Sequence, residues 1–281
     1  MGENRIALVT GAGGGIGKAM TVALANAGHL VAALDRTEDI VKNALNSPPD
    51  LSSRILPIGG DIRSRDACEK AISKTVSHFG TIHMLVNNAG IGQSSIRKNY
   101  YAENIMFWDV ADDNWDAVIN TNVKGAFLMT KAALPHMINA GWGRIVNVST
   151  SMDTMIRRGW TPYGPSKAAL EACSAIWAKD LADSSITVNV LVPGGPVNTG
   201  MVPMDSAPDR ESLLQPEIIS APIKWLASNE ANGFNGRRIV STHWDPTIPA
   251  IEASKKASWP AAWPGVGAQA TISESNPMAG H

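Results

Sequence analysis

Short apolar runs alternate with longer helical patterns from residue 5 to residue 242 of the chain. The runs are rich in Val, Ile and Leu and are apolar on both faces, rather than at every second residue. Strands of that composition belong to a parallel sheet that helices cover on both sides. We therefore predict an α/β fold with a doubly wound parallel sheet of about seven strands. The predicted strands are 5–10, 29–35, 54–58, 82–87, 143–149, 186–192 and 237–242. The predicted helices are 15–27, 38–46, 64–79, 112–140, 162–183 and 216–228.

The length and charge of the chain narrow the possibilities further. Its 281 residues carry a net charge of −1, and this length suits one large α/β domain. A near-zero charge argues against nucleic acid or an anionic membrane surface as the main partner. No apolar run approaches about eighteen residues, so no membrane span is expected. Because no repeat or linker divides the chain, we predict one domain at 1–242 and an extension at 243–281.

Only two cysteines occur, Cys68 and Cys173, and each lies in a predicted helix. Unpaired core thiols of this kind are typical of a reducing compartment. The opening residues also lack the basic segment and apolar run of a secretory signal. We therefore expect a cytoplasmic protein.

Two segments look like additions to the predicted sheet and helices. Residues 91–114 form a long connection of mixed polarity, and residues 243–281 hold five prolines and three of the nine tryptophans. Large apolar rings have little reason to remain in water. We favour an extended Trp- and Pro-rich segment that packs on its own or a neighbouring subunit, with simple fraying as the alternative.

A glycine-rich turn follows the first predicted strand and opens a helix. Gly11, Gly15 and Gly17 stand in a G-x-x-x-G-x-G arrangement. Such a turn lets the backbone approach a pyrophosphate closely and directs helix N–H groups at it. The alternative is a plain tight turn between a strand and a helix. Asp35, at the end of the second strand, favours the nucleotide site because its carboxylate can accept hydrogen bonds from ribose hydroxyls.

The same carboxylate bears on the choice of dinucleotide. Asp35 would repel a 2′-phosphate, which favours NAD over NADP. The adjacent Arg36 complicates this choice, since a guanidinium could bind that phosphate. No Lys or Arg lies inside the glycine loop, and NAD is the predicted cofactor.

Tyr163 and Lys167 lie four residues apart at a predicted helix start and so share one face. A phenol is a poor base at neutral pH, but a nearby ammonium lowers its pKa. Taken alone, the pair is as well explained by a surface tyrosine and a solvated lysine.

Six motifs together are more informative than the pair. They are "TGAGGGIG" (10–17), "GDI" (60–62), "NNAG" (87–90), "NVKG" (122–125), "YGPSK" (163–167) and "PGGPVNT" (193–199). In order and spacing they resemble the classical short-chain dehydrogenase/reductase family over roughly residues 5 to 242. The resemblance implies a Rossmann-type fold and an NAD(P)-dependent dehydrogenase or reductase acting on CH–OH groups.

The resemblance also implies roles for individual residues. Tyr163 would be the general acid/base, Lys167 would bond the nicotinamide ribose and lower the pKa of the tyrosine, and Asn122 would hold a water against the lysine. Asp61 and Ile62 would flank the adenine, and Val197 and Thr199 would meet the nicotinamide carboxamide or phosphates. The implied cofactor-binding residues are Gly11, Gly15, Ile16, Gly17, Asp35, Arg36, Asp61, Ile62, Asn88, Gly90, Tyr163, Lys167, Val197 and Thr199.

The sequence departs from the family pattern at three places. Thr150 stands where the family usually has serine; it can make the same hydrogen bond to substrate, with Ser149 or Ser151 as the alternative if the register slips. "PGGPVNT" holds one glycine more than usual. The last strand runs into "STHWDP" where the family usually has Asp-Gly-Gly.

The segment between Thr150 and Tyr163 is expected to form a wall of the substrate site. Its candidate substrate residues are Thr150, Met152, Arg157, Arg158 and Trp160. One arginine turned inward could pair with an anionic substrate group; the favoured alternative is that both are solvated or contact another subunit. The histidines show no metal-ligand spacing, and no metal is expected.

Three functions are compatible with these observations. The leading hypothesis is an NAD(H)-dependent oxidoreductase that interconverts a secondary alcohol and a ketone. The alternatives are a non-catalytic nucleotide-binding regulatory protein and an epimerase or dehydratase on the same fold without net redox. By the resemblance, helices 112–140 and 162–183 would form a homo-oligomer, a tetramer or dimer.

Overall fold

The computed structural model describes residues 4–45, 51, 53–204 and 209–264, in which strands and helices alternate. The strands are β1 (Ile6–Thr10), β2 (Leu30–Asp35), β3 (Ile55–Gly59), β4 (Met84–Asn87), β5 (Gly143–Val148), β6 (Ile186–Val192), β7 (Arg237–Val240) and β8 (Ser258–Pro260). The α-helices are α1 (Gly15–Asn26), α2 (Glu38–Ala44), α3 (Arg65–Phe79), α4 (Asp112–Ile119), α5 (Ala126–Ala140), α6 (Met152–Met155), α7 (Tyr163–Asp180), α8 (Ser220–Leu226) and α9 (Ala250–Lys256).

The described strands form one sheet in the order β3-β2-β1-β4-β5-β6-β7-β8. Strands β1 to β7 run parallel, and β8 pairs antiparallel with β7. The predicted doubly wound α/β sheet is confirmed, but the count of about seven strands is one short. Because β8 has only three residues, Ser258–Pro260, it is too short to show the periodicity from which a strand is predicted.

Helices cover both faces of the sheet, which explains why its strands are mostly apolar on both faces. In β1, Ala7 and Val9 pack into the core that lies under α1 and α8, whereas Leu8 packs into the core under α3 and α5. All three side chains are almost fully buried. Burying one large aliphatic side chain stabilises the fold by about 1.5–3 kcal/mol, so a strand that faces two cores gains from apolar residues on both faces.

The predicted helix 112–140 is interrupted. A π-helical turn, Asn120–Gly125, separates α4 from α5. At Gly125 an added Cβ would lie 2.6 Å from the Ile62 side chain, so the helix can approach the loop after β3 only with glycine there. Turns of this type insert an extra residue into a helix and often occur at functional sites.

Residues 243–264 pack on the rest of the same chain. The Trp244 ring lies 5.7 Å from the Trp225 ring, and Ala253 and Ala257 of the α9 region are fully buried in the core. The remainder of the predicted extension, 265–281, lies outside the described residues. Within the described ranges, no helix is long and apolar enough to cross a membrane.

Candidate active site

A cleft of ≈690 Å³ opens at the carboxyl ends of the parallel strands. It lies where β1 is flanked by β2 on one side and by β4 on the other, the point at which doubly wound sheets bind ligands. Most of the residues predicted to hold the cofactor line this cleft: Gly11, Gly15, Ile16, Gly17, Asp35, Arg36, Asp61, Ile62, Asn88, Gly90 and Thr199.

The glycine-rich turn is closed so tightly that side chains would not fit. An added Cβ on Gly17 would lie 2.0 Å from the Gly11 carbonyl oxygen. Gly11 itself has φ of 65°, which favours glycine. The Asn88 side chain donates hydrogen bonds to the Thr10 and Gly11 carbonyl oxygens, at 2.9 and 3.2 Å. The turn is thus fixed to β4, and the amino end of α1 faces the cleft.

Two acidic and two basic side chains also line the cleft: Asp35, Arg36, Asp61 and Arg63. Asp35 accepts hydrogen bonds from the Gly13 amide at 2.9 Å and the Arg36 amide at 2.7 Å. Asp61 forms an ion pair with Arg63, with 2.6 Å between Oδ2 and the guanidinium nitrogen. The hydrogen bond from Arg63 is the main reason that the pKa of Asp61 is lowered.

Arg63 was not among the residues predicted from the sequence, although it lines the same cleft as Arg36. A signal for it was present, because a side chain two residues beyond Asp61 can fold back onto that carboxylate in a turn. The pattern "GDI" ended one residue too early to include it.

The predicted catalytic residues meet where β5 ends and α7 begins. Tyr163 is buried, and burial raises the pKa of its phenol to about 12, against a smaller lowering by a hydrogen bond with the Thr150 side chain. Lys167, one turn further along α7, is also buried, which lowers the pKa of its ammonium group to about 8. Its Nζ donates to the Val148 carbonyl oxygen at 2.8 Å and lies 5.9 Å from the centre of the Tyr163 ring.

Asn122 reaches this group from the π-helical turn. Its side chain exchanges two hydrogen bonds with the Ile91 backbone, each at 2.9 Å, and donates a third to Ser166 Oγ at 2.9 Å. An added Cβ on Gly90 would lie 3.1 Å from Asn122 Oδ1 and 3.4 Å from Lys167 Nζ. The glycine therefore lets Asn122 and Lys167 lie side by side, close to the cleft.

The three hydroxyls that precede the tyrosine have different partners. The Thr150 side chain interacts with the Tyr163 phenol and acts to lower its pKa. Ser151 begins α6 and accepts a hydrogen bond from the Thr154 amide, while Ser149 is buried beside the Lys167 carbonyl oxygen at 3.5 Å. Of the three, Thr150 has the position that the expected substrate hydrogen bond requires.

The candidate substrate residues divide into two groups. The Trp160 ring packs against the candidate catalytic tyrosine, 5.9 Å from the Tyr163 ring. Arg157 lies over the outer side of Trp160, 5.3 Å from its ring, and is exposed, as are Arg158 and Met152. The structure therefore has neither arginine turned inward, in line with the favoured solvated alternative.

The segment 91–105 contributes to the cover over Tyr163, and the position of the long connection 91–114 in the sequence was compatible with such a covering role. An added Cβ on Gly92 would lie 3.3 Å from the Tyr163 ring. The Tyr100 ring packs against Trp160 at 5.7 Å, and its hydroxyl donates to the Met201 carbonyl oxygen at 3.3 Å. An aromatic wall built from two distant segments thus lies beside Tyr163.

Val197 and Thr199 have different environments. Thr199 packs against the glycine turn, where a Cβ on Gly15 would meet its methyl group at 2.7 Å. Val197 is buried and pairs its backbone with Leu214, so the structure does not place its side chain in the cleft. Leu214 belongs to none of the six motifs, so the sequence could not predict that Val197 pairs with it.

The described part of the chain contains no group of three or more His, Cys, Asp or Glu side chains that could hold a metal ion. The cleft provides backbone amides at a helix start and a carboxylate at the end of β2. Tyr163 and Lys167, which were also predicted to bind the cofactor, are buried beside the cleft rather than in its lining. This arrangement suits an extended dinucleotide next to a site of proton transfer.

Comparisons with known proteins agree with this description. Residues 5–209 match the sequence model of the family described as short chain dehydrogenase. A 3-oxoacyl-(acyl-carrier-protein) reductase of Thermotoga maritima is 33% identical over 246 residues, covering 84% of this chain and 96% of the relative. An acetoacetyl-CoA reductase of Shinella zoogloeoides is 33% identical over 245 residues, covering 84% and 96%.

A solved structure has the same fold. The crystal structure of a 3-ketoacyl-(acyl-carrier-protein) reductase from Brucella melitensis, complexed with NADH, superposes with a TM-score of 0.71 at 26% identity. The match covers 83% of this chain and 94% of that chain.

Proposed function

The chain belongs to the short-chain dehydrogenase/reductase family, and we propose that it is an NAD-preferring enzyme that interconverts a secondary alcohol and a ketone through Tyr163. Membership makes it an NAD(P)-dependent oxidoreductase that acts on keto or hydroxy groups. The observation that carries the finer proposal is the buried arrangement of Thr150, Tyr163 and Lys167 beside the cleft.

The bound dinucleotide would supply the hydride, and the protein residues would manage the proton. In the reductive direction the neutral Tyr163 phenol donates its proton to the substrate oxygen, and the Thr150 hydroxyl orients that oxygen. Lys167, with a pKa of about 8, is mostly charged at neutral pH and stabilises the phenolate that remains. Asn122, which lies near Lys167, would hold the water that returns the proton.

The charged side chains that line the cleft near Asp35 favour NAD over NADP. Asp35 lies against the glycine turn through its bond with the Gly13 amide, where a 2′-phosphate would meet a carboxylate. Arg63 is already paired with Asp61, which leaves Arg36 as the guanidinium that favours NADP. Steady-state kcat/KM values with NADH and NADPH test this balance, and a higher value with NADPH would contradict it.

The relatives suggest which substrate to assay first. Two are named as reductases of 3-oxoacyl or acetoacetyl thioesters, so we propose a 3-oxo compound as substrate. Loss of NADH absorbance with acetoacetyl-CoA, beside a panel of ketones, would be measured for wild type and Tyr163→Phe. We expect turnover in the wild type and a loss of at least about a hundredfold in the variant, with NADH binding retained in a fluorescence titration.

The other outcomes of this assay correspond to the alternative functions. Tight NADH binding without turnover on any substrate would favour a regulatory protein, and substrate conversion without net NADH consumption would favour an epimerase or dehydratase. Full activity in Tyr163→Phe would remove the proposed mechanism.

Homo-oligomer formation and cytoplasmic location stay predictions. Exposed apolar side chains on the predicted interface helices, including Phe127, Ile138 and Ile176, support the first. Light scattering at micromolar concentration tests it, and a monomeric mass would contradict it.

A further inference from the structure

A buried ion pair lies directly behind the candidate catalytic residues. Glu171 of α7 and Arg238 of β7 are in contact through a charge-assisted hydrogen bond. Glu171 is 0% exposed and Arg238 is 6% exposed. Replacing such a pair with apolar residues is often neutral or stabilising, so its presence is weakly explained by stability alone.

The same guanidinium makes a second contact that links the pair to the active site. Its other terminal nitrogen donates to the Thr150 carbonyl oxygen at 2.5 Å. The neighbouring Ser149 side chain lies close enough to the Glu171 carboxylate to act on its pKa. Both members of the pair therefore hold the two residues that follow β5, just where the regular pairing of that strand has ended.

The C-terminal segment completes this arrangement. The Ala262 amide donates to Glu171 Oε1 at 3.3 Å, and β8 places Trp259 opposite Arg238. Ala262 has φ of 63°, an uncommon value for a residue other than glycine. The segment that follows the departure at 241–246 therefore contacts the ion pair through the Ala262 amide and through the backbone pairing of β8 with β7.

Because residue 150 is a threonine rather than a serine, the direction of its hydroxyl depends more strongly on the position of its backbone. A β-branched side chain has few accessible χ1 rotamers, so the direction of the Thr150 hydroxyl follows the backbone closely. A serine could compensate for a displaced backbone by rotating, whereas Thr150 has less freedom to do so.

We propose that Arg238, held in place by Glu171, is a positioning residue that fixes the Thr150 carbonyl and thereby sets the Thr150 hydroxyl against Tyr163. The proposal rests on the proposed function of Thr150 and Tyr163. It assigns to β7 and the C-terminal segment a part in catalysis, without contact with the substrate.

A double-mutant cycle tests the proposal. Glu171→Gln/Arg238→Gln removes both charges together, so no unpaired charge is left buried. We expect kcat with acetoacetyl-CoA and NADH to fall by about tenfold to a hundredfold, while the Kd for NADH stays within about twofold. In a Thr150→Ala background the same pair of substitutions should lower kcat by less than about twofold further. Full additivity in the cycle, or an unchanged kcat, would overturn the proposal.

Two further variants keep the test decisive. Arg237→Gln removes the adjacent guanidinium of β7, which bonds the Ser258 carbonyl oxygen instead, and should leave kcat unchanged. Arg238→Lys retains a positive charge beside Glu171 but loses the planar two-pronged donor, and serves if the neutral pair does not fold. We expect Arg238→Lys to lower kcat in the same direction.

A readout independent of turnover separates this proposal from the proposed function. In crystal structures of wild type and the Glu171→Gln/Arg238→Gln chain, we expect the Thr150 carbonyl to move and the Thr150 hydroxyl to shift away from the Tyr163 phenol. An unmoved Thr150 would overturn the positioning role. Wild type without any turnover would instead count against the proposed function, while the crystallographic result would still decide the positioning role.

Discussion

Replacing Lys167 with methionine should make the protein more resistant to unfolding at neutral pH while it removes turnover. The Lys167 ammonium group is buried, and burial lowers its pKa from 10.5 to about 8. At pH values below 8 the group is charged in both the folded and the unfolded chain. The folded state then carries the cost of desolvating the charge, and Lys167→Met removes that cost.

The size of the effect follows from the pKa. A fall from 10.5 to about 8 corresponds to about 3 kcal/mol of unfolding free energy at about pH 7. As the pH rises through 8, the folded chain releases this proton while the unfolded chain keeps it until pH 10.5. The stability of the wild type therefore rises with pH, and only about 1.4 kcal/mol of the cost remains at about pH 9.5. The Val148 carbonyl loses its Lys167 donor in the variant at every pH, which lowers the stability of the variant by a constant of about 1–3 kcal/mol. The gain at about pH 7 is reduced by this amount, but its change with pH is not.

The measurement is urea unfolding of both chains without cofactor at about pH 7 and about pH 9.5. The unfolding free energy of the variant relative to wild type should fall by about 2 kcal/mol between these values. The raised pKa of Tyr163, about 12, acts in the opposite direction only above pH 10 and is common to both chains. Lys179→Met, at an exposed lysine in the last turn of α7, is the matched control and should show no such trend. A relative stability of Lys167→Met that is constant within about 0.5 kcal/mol would refute the reasoning.

Three further changes test other parts of the site. Gly17→Ala should lower the unfolding free energy by about 1–3 kcal/mol and weaken NADH binding, because its Cβ would lie 2.0 Å from a backbone oxygen. Thermal melting checks the loss of stability. The control is Gly14→Ala, whose Cβ meets nothing within 4 Å in the described structure. Trp160→Ala should raise KM for the ketone by about tenfold, since it removes the ring beside Tyr163, while fluorescence titration shows an unchanged Kd for NADH. Asp35→Asn should shift the ratio of kcat/KM values towards NADPH by about tenfold or more, and an unchanged ratio would contradict the assigned role of that carboxylate.

The parts of the fold that could be predicted are those in which local sequence and burial agree. Strands such as Ile186–Val192 are buried at every residue. Because both of their faces are covered, their composition is mostly apolar, and this composition can be recognised in the sequence. The glycine turn was also predictable, because only glycine fits where Gly17 meets Gly11. Both signals are carried by residues that are close together in the sequence.

The remaining features depend on contacts between distant residues. In the sequence, Arg238 is an ordinary charged residue near the end of a strand. Its burial becomes evident only from its contact with Glu171, which lies 67 positions earlier. The π-helical turn and the aromatic wall are similar, since Gly125 is required by Ile62 and Tyr100 by Trp160. Pairings of this kind leave no periodic pattern in either partner.

The strand order has a consequence for how the molecule behaves at high concentration. The two outermost strands, β3 and β8, each contain a proline, which has no N–H to donate. In β3 the Gly60 amide bonds back to β2, and because amides alternate in direction along a strand, the Pro57 nitrogen points outward. In β8 the Ala261 amide bonds back to the Gly236 carbonyl, so the Pro260 nitrogen also points outward. A foreign strand would therefore find a donor missing at either margin of the sheet, which is a known protection against aggregation through sheet extension.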